Sequence, residues 1–184
     1  MKQRARGSMA RVAGKAGMAA LLAAAGLVLA ARSALSQVPA EATAITAAEV
    51  RQFLSQMKGV DLPIRVVDAG GYRVGIYGVF RAKGGNDAAA RHETKVTEIY
   101  YMLEGGGTLV TGGTLREPVT RRKSATTNAD DQGSPGIDGG VERRVDKGDI
   151  VIIPGGVPHW WKSRDGDVTY LNIRMDPDSV LTLK

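Results

Sequence analysis

From Leu62 onward the chain is a succession of short runs rich in Val, Ile and Tyr, each closed by Gly, Asp or Pro. PIRVVD, YRVGIYGVFRA, VTEIYYMLEG, GTLVTGG, VERRV, DIVIIP, PHWWKS and VTYLNIRM make about eight such segments, and no helical periodicity interrupts them. Short strands punctuated by turns satisfy their backbone groups by pairing with one another, which restricts the chain to a sandwich or a closed barrel. Only one helix is expected, ahead of the strands. Thr46-Ala47-Ala48-Glu49 reads as a capping box, and Val50, Phe53, Leu54 and Met57 follow at the spacing of one helical face, predicting a helix over 46–58 that ends near Gly59 and packs on the domain. Residues 113–140 hold SATTNADDQGSPGIDGG, too polar to bury much apolar surface, and are expected to form a mobile surface loop.

The first 36 residues read as a segment to be removed and not as part of this fold. A basic stretch without acids, MKQRARGSMARVAGK, precedes an apolar run of about fifteen residues, and Ala34-Leu35-Ser36 offers small side chains where a signal peptidase cuts. Cleavage is expected after Ser36, with Ala40 as second choice, delivering the protein to the periplasm or the exterior. The apolar run is shorter than the ~20 residues a spanning helix needs, so no membrane association is expected once the signal is gone. Residues 37–61 then form a leader and the helix, and 62–184 the β domain. Cysteine is absent, which excludes disulfides, a lipid-modified cysteine and a thiol nucleophile.

The net charge of +6 belongs to the leader. Lys2, Arg4, Arg6, Arg11, Lys15 and Arg32 carry no acid among them, and without them 19 Lys and Arg face 19 Asp and Glu. A nucleic-acid partner therefore has no electrostatic support, and Arg121, Arg122 and Lys123 read as a solvated loop.

Only two histidines occur, His92 and His159. Imidazole is the commonest metal ligand and the usual base near neutral pH, so this scarcity locates the chemistry. In His92-Glu93-Thr94-Lys95-Val96-Thr97-Glu98, one continuous strand would show His92, Thr94 and Glu98 on a single face. In Gly148–His159, the strand DIVII runs into a Pro/Gly turn before a new strand starts at His159.

These two segments resemble the paired motifs of the cupin superfamily. His92, Thr94, Glu98 and Gly105 stand at the His, His, Glu and Gly places of the first motif; Gly148, Pro154, Gly156, His159 and Ser163 stand at the Gly, Pro, Gly, His and Asn places of the second. The motifs and their flanks cover roughly residues 72–175. The resemblance implies an all-β jelly roll, a double-stranded β-helix, with a divalent metal held inside the barrel and a homodimer formed through the sheets. Thr94 replaces one histidine, so the implied ligand set is His92, Glu98 and His159. Two imidazoles and a carboxylate form a facial triad that suits iron and can also hold Mn, Ni, Co or Zn.

Strand parity predicts the walls of a pocket. If Glu98 faces inward so do Tyr100 and Met102, and if His159 faces inward so does Trp161, with Trp160 outward. Asn172 and Arg174 share a face on the last strand, Arg174 as a partner for a carboxylate, and with Thr94 these residues make the expected substrate pocket for a small organic molecule. Two functions follow: a metal-dependent oxygenase, isomerase or lyase, or a non-catalytic module binding a sugar or an aromatic acid. No Gly-x-Ser-x-Gly elbow is present, and the glycines at 84–85 and 112–113 lack the strand-to-helix setting of a phosphate loop, so nucleotide, nicotinamide and flavin cofactors find no support.

Overall fold

The computed structural model describes residues 41–57, 61–85, 87–124, 127 and 129–184. The expected signal segment and Gly59 lie outside the described residues.

The N-terminal helix, α1 (Ala47–Gln56), starts where the capping box places it. Thr46 Oγ1 accepts from the Glu49 N–H at 3.2 Å, and Glu49 Oε2 accepts from the Thr46 N–H at 2.7 Å, an arrangement worth about 1 kcal/mol. Its Phe53 and Leu54 rest on Gly78, where an added Cβ would lie 2.9 Å from Leu54 Cδ2 and 3.1 Å from Phe53 Cε1, so glycine is what lets the helix settle there. A groove of about 760 Å³ lies between helix and sheet, lined by Ile45, Val50, Leu54, Phe80, Leu103 and Leu171 among others.

Thirteen strands follow among the described residues: β1 (Asp61–Asp68), β2 (Arg73–Arg81), β3 (Ala89–His92), β4 (Thr97–Glu104), β5 (Gly107–Thr111), β6 (Thr114–Leu115), β7 (Thr120–Lys123), β8 (Asp130–Ser134), β9 (Ile137–Asp138), β10 (Val141–Val145), β11 (Ile150–Ile153), β12 (His159–Arg164) and β13 (Val168–Asp176). They form a five-stranded sheet in the order β1-β2-β13-β4-β11, a six-stranded sheet in the order β10-β5-β12-β3-β8-β7, and a β6-β9 ribbon. All pairings are antiparallel. Val79, Tyr100, Met102 and Tyr170 from the first sheet meet Leu109, Val145 and Trp161 from the second in one buried core, so the fold is a two-sheet, all-antiparallel jelly roll, as expected.

Alternation is clean on the central strands. Along β13, Val168, Tyr170, Asn172, Arg174 and Asp176 are buried while the residues between them face outward. The outer face of the five-stranded sheet keeps apolar side chains in register: Ile152 opposite Ile99 opposite Ile173, and Ile150 opposite Tyr101 opposite Leu171. Ile150 and Ile152 are each 64% exposed.

Residues 113–140 are not the open loop expected. They carry β6 to β9, and β8 extends the six-stranded sheet between β3 and β7 with Asp131, Gln132 and Ser134 buried. Polar side chains bury here because they find partners: Ser134 Oγ donates to the backbone oxygens of Arg116 and Gly136, and Gln132 donates to Glu93. Arg121, Arg122 and Lys123, read as a loop, lie on the edge strand β7 with every side chain exposed.

Candidate metal centre

His92 and Glu98 do not share one strand. The chain turns between them, so His92 closes β3 in the six-stranded sheet and Glu98 belongs to β4 in the other. The second segment is locked to that turn: a Cβ on Gly155 would lie 2.6 Å from Thr94 O and 2.6 Å from Lys95 C, a closeness only glycine allows. Gly156 then takes a φ of 77°, and the chain enters β12 at His159, which pairs with Ala90 of β3. The imidazole centroids are 5.2 Å apart.

His92, Glu98 and His159 thereby converge, with one ligand atom from each lying within 4.8 Å of the others. His92 Nε2 is 3.9 Å from Glu98 Oε1, and His159 Nε2 is 3.5 Å from Glu98 Oε2. Each ring has its other nitrogen occupied: His92 Nδ1 lies 2.6 Å from Asp131 Oδ1 and His159 Nδ1 lies 3.1 Å from the Val157 carbonyl. With Nδ1–H donated to those acceptors, each Nε2 presents a lone pair to the carboxylate, which is how metal-binding histidines are held. The donor set therefore fits a divalent cation. Thr94 sits in the turn, its Oγ1 accepting from the Val96 N–H at 3.3 Å, and lines a crevice with His92, Glu98 and Arg174 without adding a ligand nitrogen.

Glu98 is the most constrained member. Oε1 accepts from Asn172 Nδ2 at 3.0 Å and from Arg174 at 3.0 Å (Nε) and 2.9 Å (NH2), while Oε2 accepts from the Tyr100 hydroxyl at 3.2 Å. Burial alone would raise its pKa, but the Arg174 charge, the two imidazoles and the Asn172 amide overcome that and hold it far below the usual carboxylate range. Burial lowers the His92 pKa, yet the Asp131 hydrogen bond and the Glu98 charge win and the net shift is upward. For His159 burial wins, against the Glu98 charge, and the pKa falls. The Tyr100 phenol is raised well above its ordinary value by burial and by Glu98, so it remains a hydrogen-bond donor.

Arg174 is not the substrate anchor expected. It is 3% exposed, paired with Glu98 and, at 2.5 Å, with Asp61 Oδ2, and its guanidinium lies 4.2 Å from the centre of the Tyr77 ring. Its charge serves the interior. Beside the site opens a cavity of about 540 Å³ whose walls include Tyr100, Trp161, Tyr170, Asn172 and Asp61 as well as the three converging residues. Met102, expected on its wall, is packed in the core instead. Trp160, read as outward, packs against Ala89, Val110 and Ile137 and donates to the Asp87 carbonyl at 2.9 Å. Asp131 and Asp61 escaped the reading of the sequence. Asp131 lay in a stretch set aside as loop, and Asp61 precedes the first recognisable strand, where alternation gives no bearing.

No protein-family model matches the chain, and no curated protein is significantly similar to it. Solved structures similar to it include BH2720 from Bacillus halodurans (10% identity, TM-score 0.45, covering 79% of this chain and 91% of that one). An uncharacterized conserved protein with a double-stranded β-helix domain from Klebsiella pneumoniae is 14% identical at a TM-score of 0.42, covering 78% and 97%. A cupin protein, BF4112 from Bacteroides fragilis, is 15% identical at 0.38, covering 78% and 90%.

Proposed function

We propose that this chain is an exported, divalent-metal-binding cupin that holds a small organic molecule in its barrel. One observation carries the reading: both histidines spend Nδ1 on acceptors, Asp131 and the Val157 carbonyl, and turn Nε2 toward the same buried carboxylate. His92, Glu98 and His159 would hold the ion, with Fe, Mn, Ni and Zn all compatible with two imidazoles and a carboxylate. When bound, such an ion polarises a ligand oxygen as a Lewis acid. The chain's own groups do the rest. Arg174 and Asn172 fix Glu98, the Tyr100 hydroxyl is held as a donor, and the buried Trp161 and Tyr170 back the cavity wall.

A second reading, a binding module whose metal site has decayed, is favoured by Arg174. Its guanidinium already neutralises Glu98, so the carboxylate has a cation without any metal. Metal analysis of the mature protein, purified without a histidine tag, separates the two. Near-stoichiometric metal that disappears in His159→Ala supports the first; metal-free protein that still binds a sugar or an aromatic acid supports the second. The exposed apolar face around Ile150 and Ile152 supports pairing of two copies through the five-stranded sheet. Export is tested by the N-terminal mass of the secreted or periplasmic form, which cleavage after Ser36 sets to begin at Gln37.

A further inference from the structure

One row of residues crosses three strands on the inner face of the six-stranded sheet. Arg122 of β7 stands opposite Asp131 of β8, and Asp131 stands opposite His92 of β3. Residues directly opposed in antiparallel strands point to the same face. Asp131 spends Oδ1 on His92 Nδ1, so that face is the one with the converging residues, and Arg122 shares their cavity of about 540 Å³. Its neighbour Arg121 turns the other way and pairs with Glu93 at 2.9 Å. Two strand spacings set the backbone of Arg122 about 10 Å from that of His92, which leaves room between them for a small molecule.

The other charges on this wall are already committed. Arg174 serves Glu98 and Asp61, Arg81 meets Asp87 with Arg164 behind it, and Lys123 at the rim pairs with Asp130 at 3.0 Å. The acids of the wall are answered by the same contacts, with Asp131 held by the His92 ring. Arg122 forms no ion pair among the described residues, and every side chain of β7 is exposed, so its guanidinium is open to a ligand. The planar fork of a guanidinium takes a carboxylate in two parallel charge-assisted hydrogen bonds. One open guanidinium matches one negative charge, whereas a phosphate ester carries about −1.5 to −2 at pH 7, more than Arg122 neutralises.

We propose that the cavity takes a small organic carboxylate whose anionic group is bound by Arg122, with the rest of the molecule directed toward His92, Glu98 and His159. The assignment rests on the reading of this cavity as the ligand site. It moves the carboxylate anchor from Arg174, which the protein uses for its own acids, to Arg122.

The test is calorimetric titration of the purified protein, with and without Mn(II), using three carboxylates, their neutral counterparts and a phosphate ester: benzoate and benzamide, D-glucuronate and D-glucose, L-lactate and lactamide, and phenyl phosphate. At least one carboxylate is expected to saturate the protein, with its neutral counterpart about tenfold weaker and phenyl phosphate weaker as well. Arg122→Gln should weaken that carboxylate about tenfold, and Arg122→Lys, which keeps the charge without the fork, should weaken it less. Arg121→Gln makes the same change of net charge on the opposite face and should alter affinity by less than about twofold. All three variants should keep the melting temperature within a few degrees, since these side chains are exposed. Binding of no carboxylate, binding that Arg122→Gln leaves unchanged, an equal loss in Arg121→Gln, or preference for a neutral compound or phenyl phosphate overturns the proposal. Carboxylate binding that Arg122→Gln weakens in a protein taking up no Mn(II) supports this assignment and removes the metal reading. Uptake of Mn(II) without carboxylate binding does the reverse.

Discussion

Asp131 Oδ1 lies 2.6 Å from His92 Nδ1, a carboxylate from β8 aligning a ring at the end of the neighbouring strand β3. The pair sets which imidazole nitrogen faces Glu98. Asp131→Ala should therefore lower affinity for Mn(II) or Zn(II) by about 10- to 100-fold, as loss of the acceptor behind a metal-binding histidine does, with Asp131→Asn intermediate. Calorimetric titration of the purified variants checks this.

Arg174 pairs its guanidinium with Glu98, and it also holds Asp61. Replacing it with Met leaves two buried carboxylates facing each other without their guanidinium, which should cost about 3–5 kcal/mol in urea unfolding. Added Zn(II) should recover part of that loss by binding the folded state.

Metal uptake should weaken as pH falls, because the cation must displace a proton from His92. The His92 pKa lies above its ordinary value, so the weakening should begin on the alkaline side of the usual imidazole range near 6.5. Asp131→Ala removes one of the two groups that raise it, and the fall-off should move to lower pH even as overall affinity drops. Titrations at pH 8, 7 and 6 give both shifts. In the metal-free protein the sign reverses: a raised histidine pKa contributes stability below the unfolded value and loses it as pH rises through the folded one. Glu98, held low, contributes across the whole range above its unfolded value.

Thr94 lines the crevice shared by His92 and Glu98. Thr94→His should add a fourth ligand and raise Zn(II) affinity by at least tenfold, read by competition with a chelating dye. No gain would mean that the turn holds the side chain away from the ion.

Ile152 is 64% exposed on the outer face of the five-stranded sheet, and β11, which carries it, is an edge strand. Ile152→Glu should convert the proposed dimer to monomer in light scattering coupled to size exclusion, with no change in metal binding.

Where side chains alternate between core and solvent, the sequence is readable to the residue: parity along β4 and β13 turns Glu98, Tyr100, Asn172 and Arg174 to the interior. The reading fails where burial is polar. Asp130–Ser134 has no apolar side chain, and β8 is held by hydrogen bonds that composition cannot register. The turn at Glu93–Val96 was hidden for a related reason. The spacing of His92 and Glu98 fits one extended strand as well as two strands joined across the barrel, and only the docking of Gly155 on Thr94 and Lys95 distinguishes them. The use of Arg174 was equally invisible, because its partner Asp61 is 113 positions away.

The converging residues come from opposite walls, His92 and His159 from the six-stranded sheet and Glu98 from the five-stranded one. An ion there would act as a rivet between two plates. Its measured affinity would then include the work of drawing the plates together, and a substitution in the core that lets them slide would loosen the grip on the ion without touching any ligand.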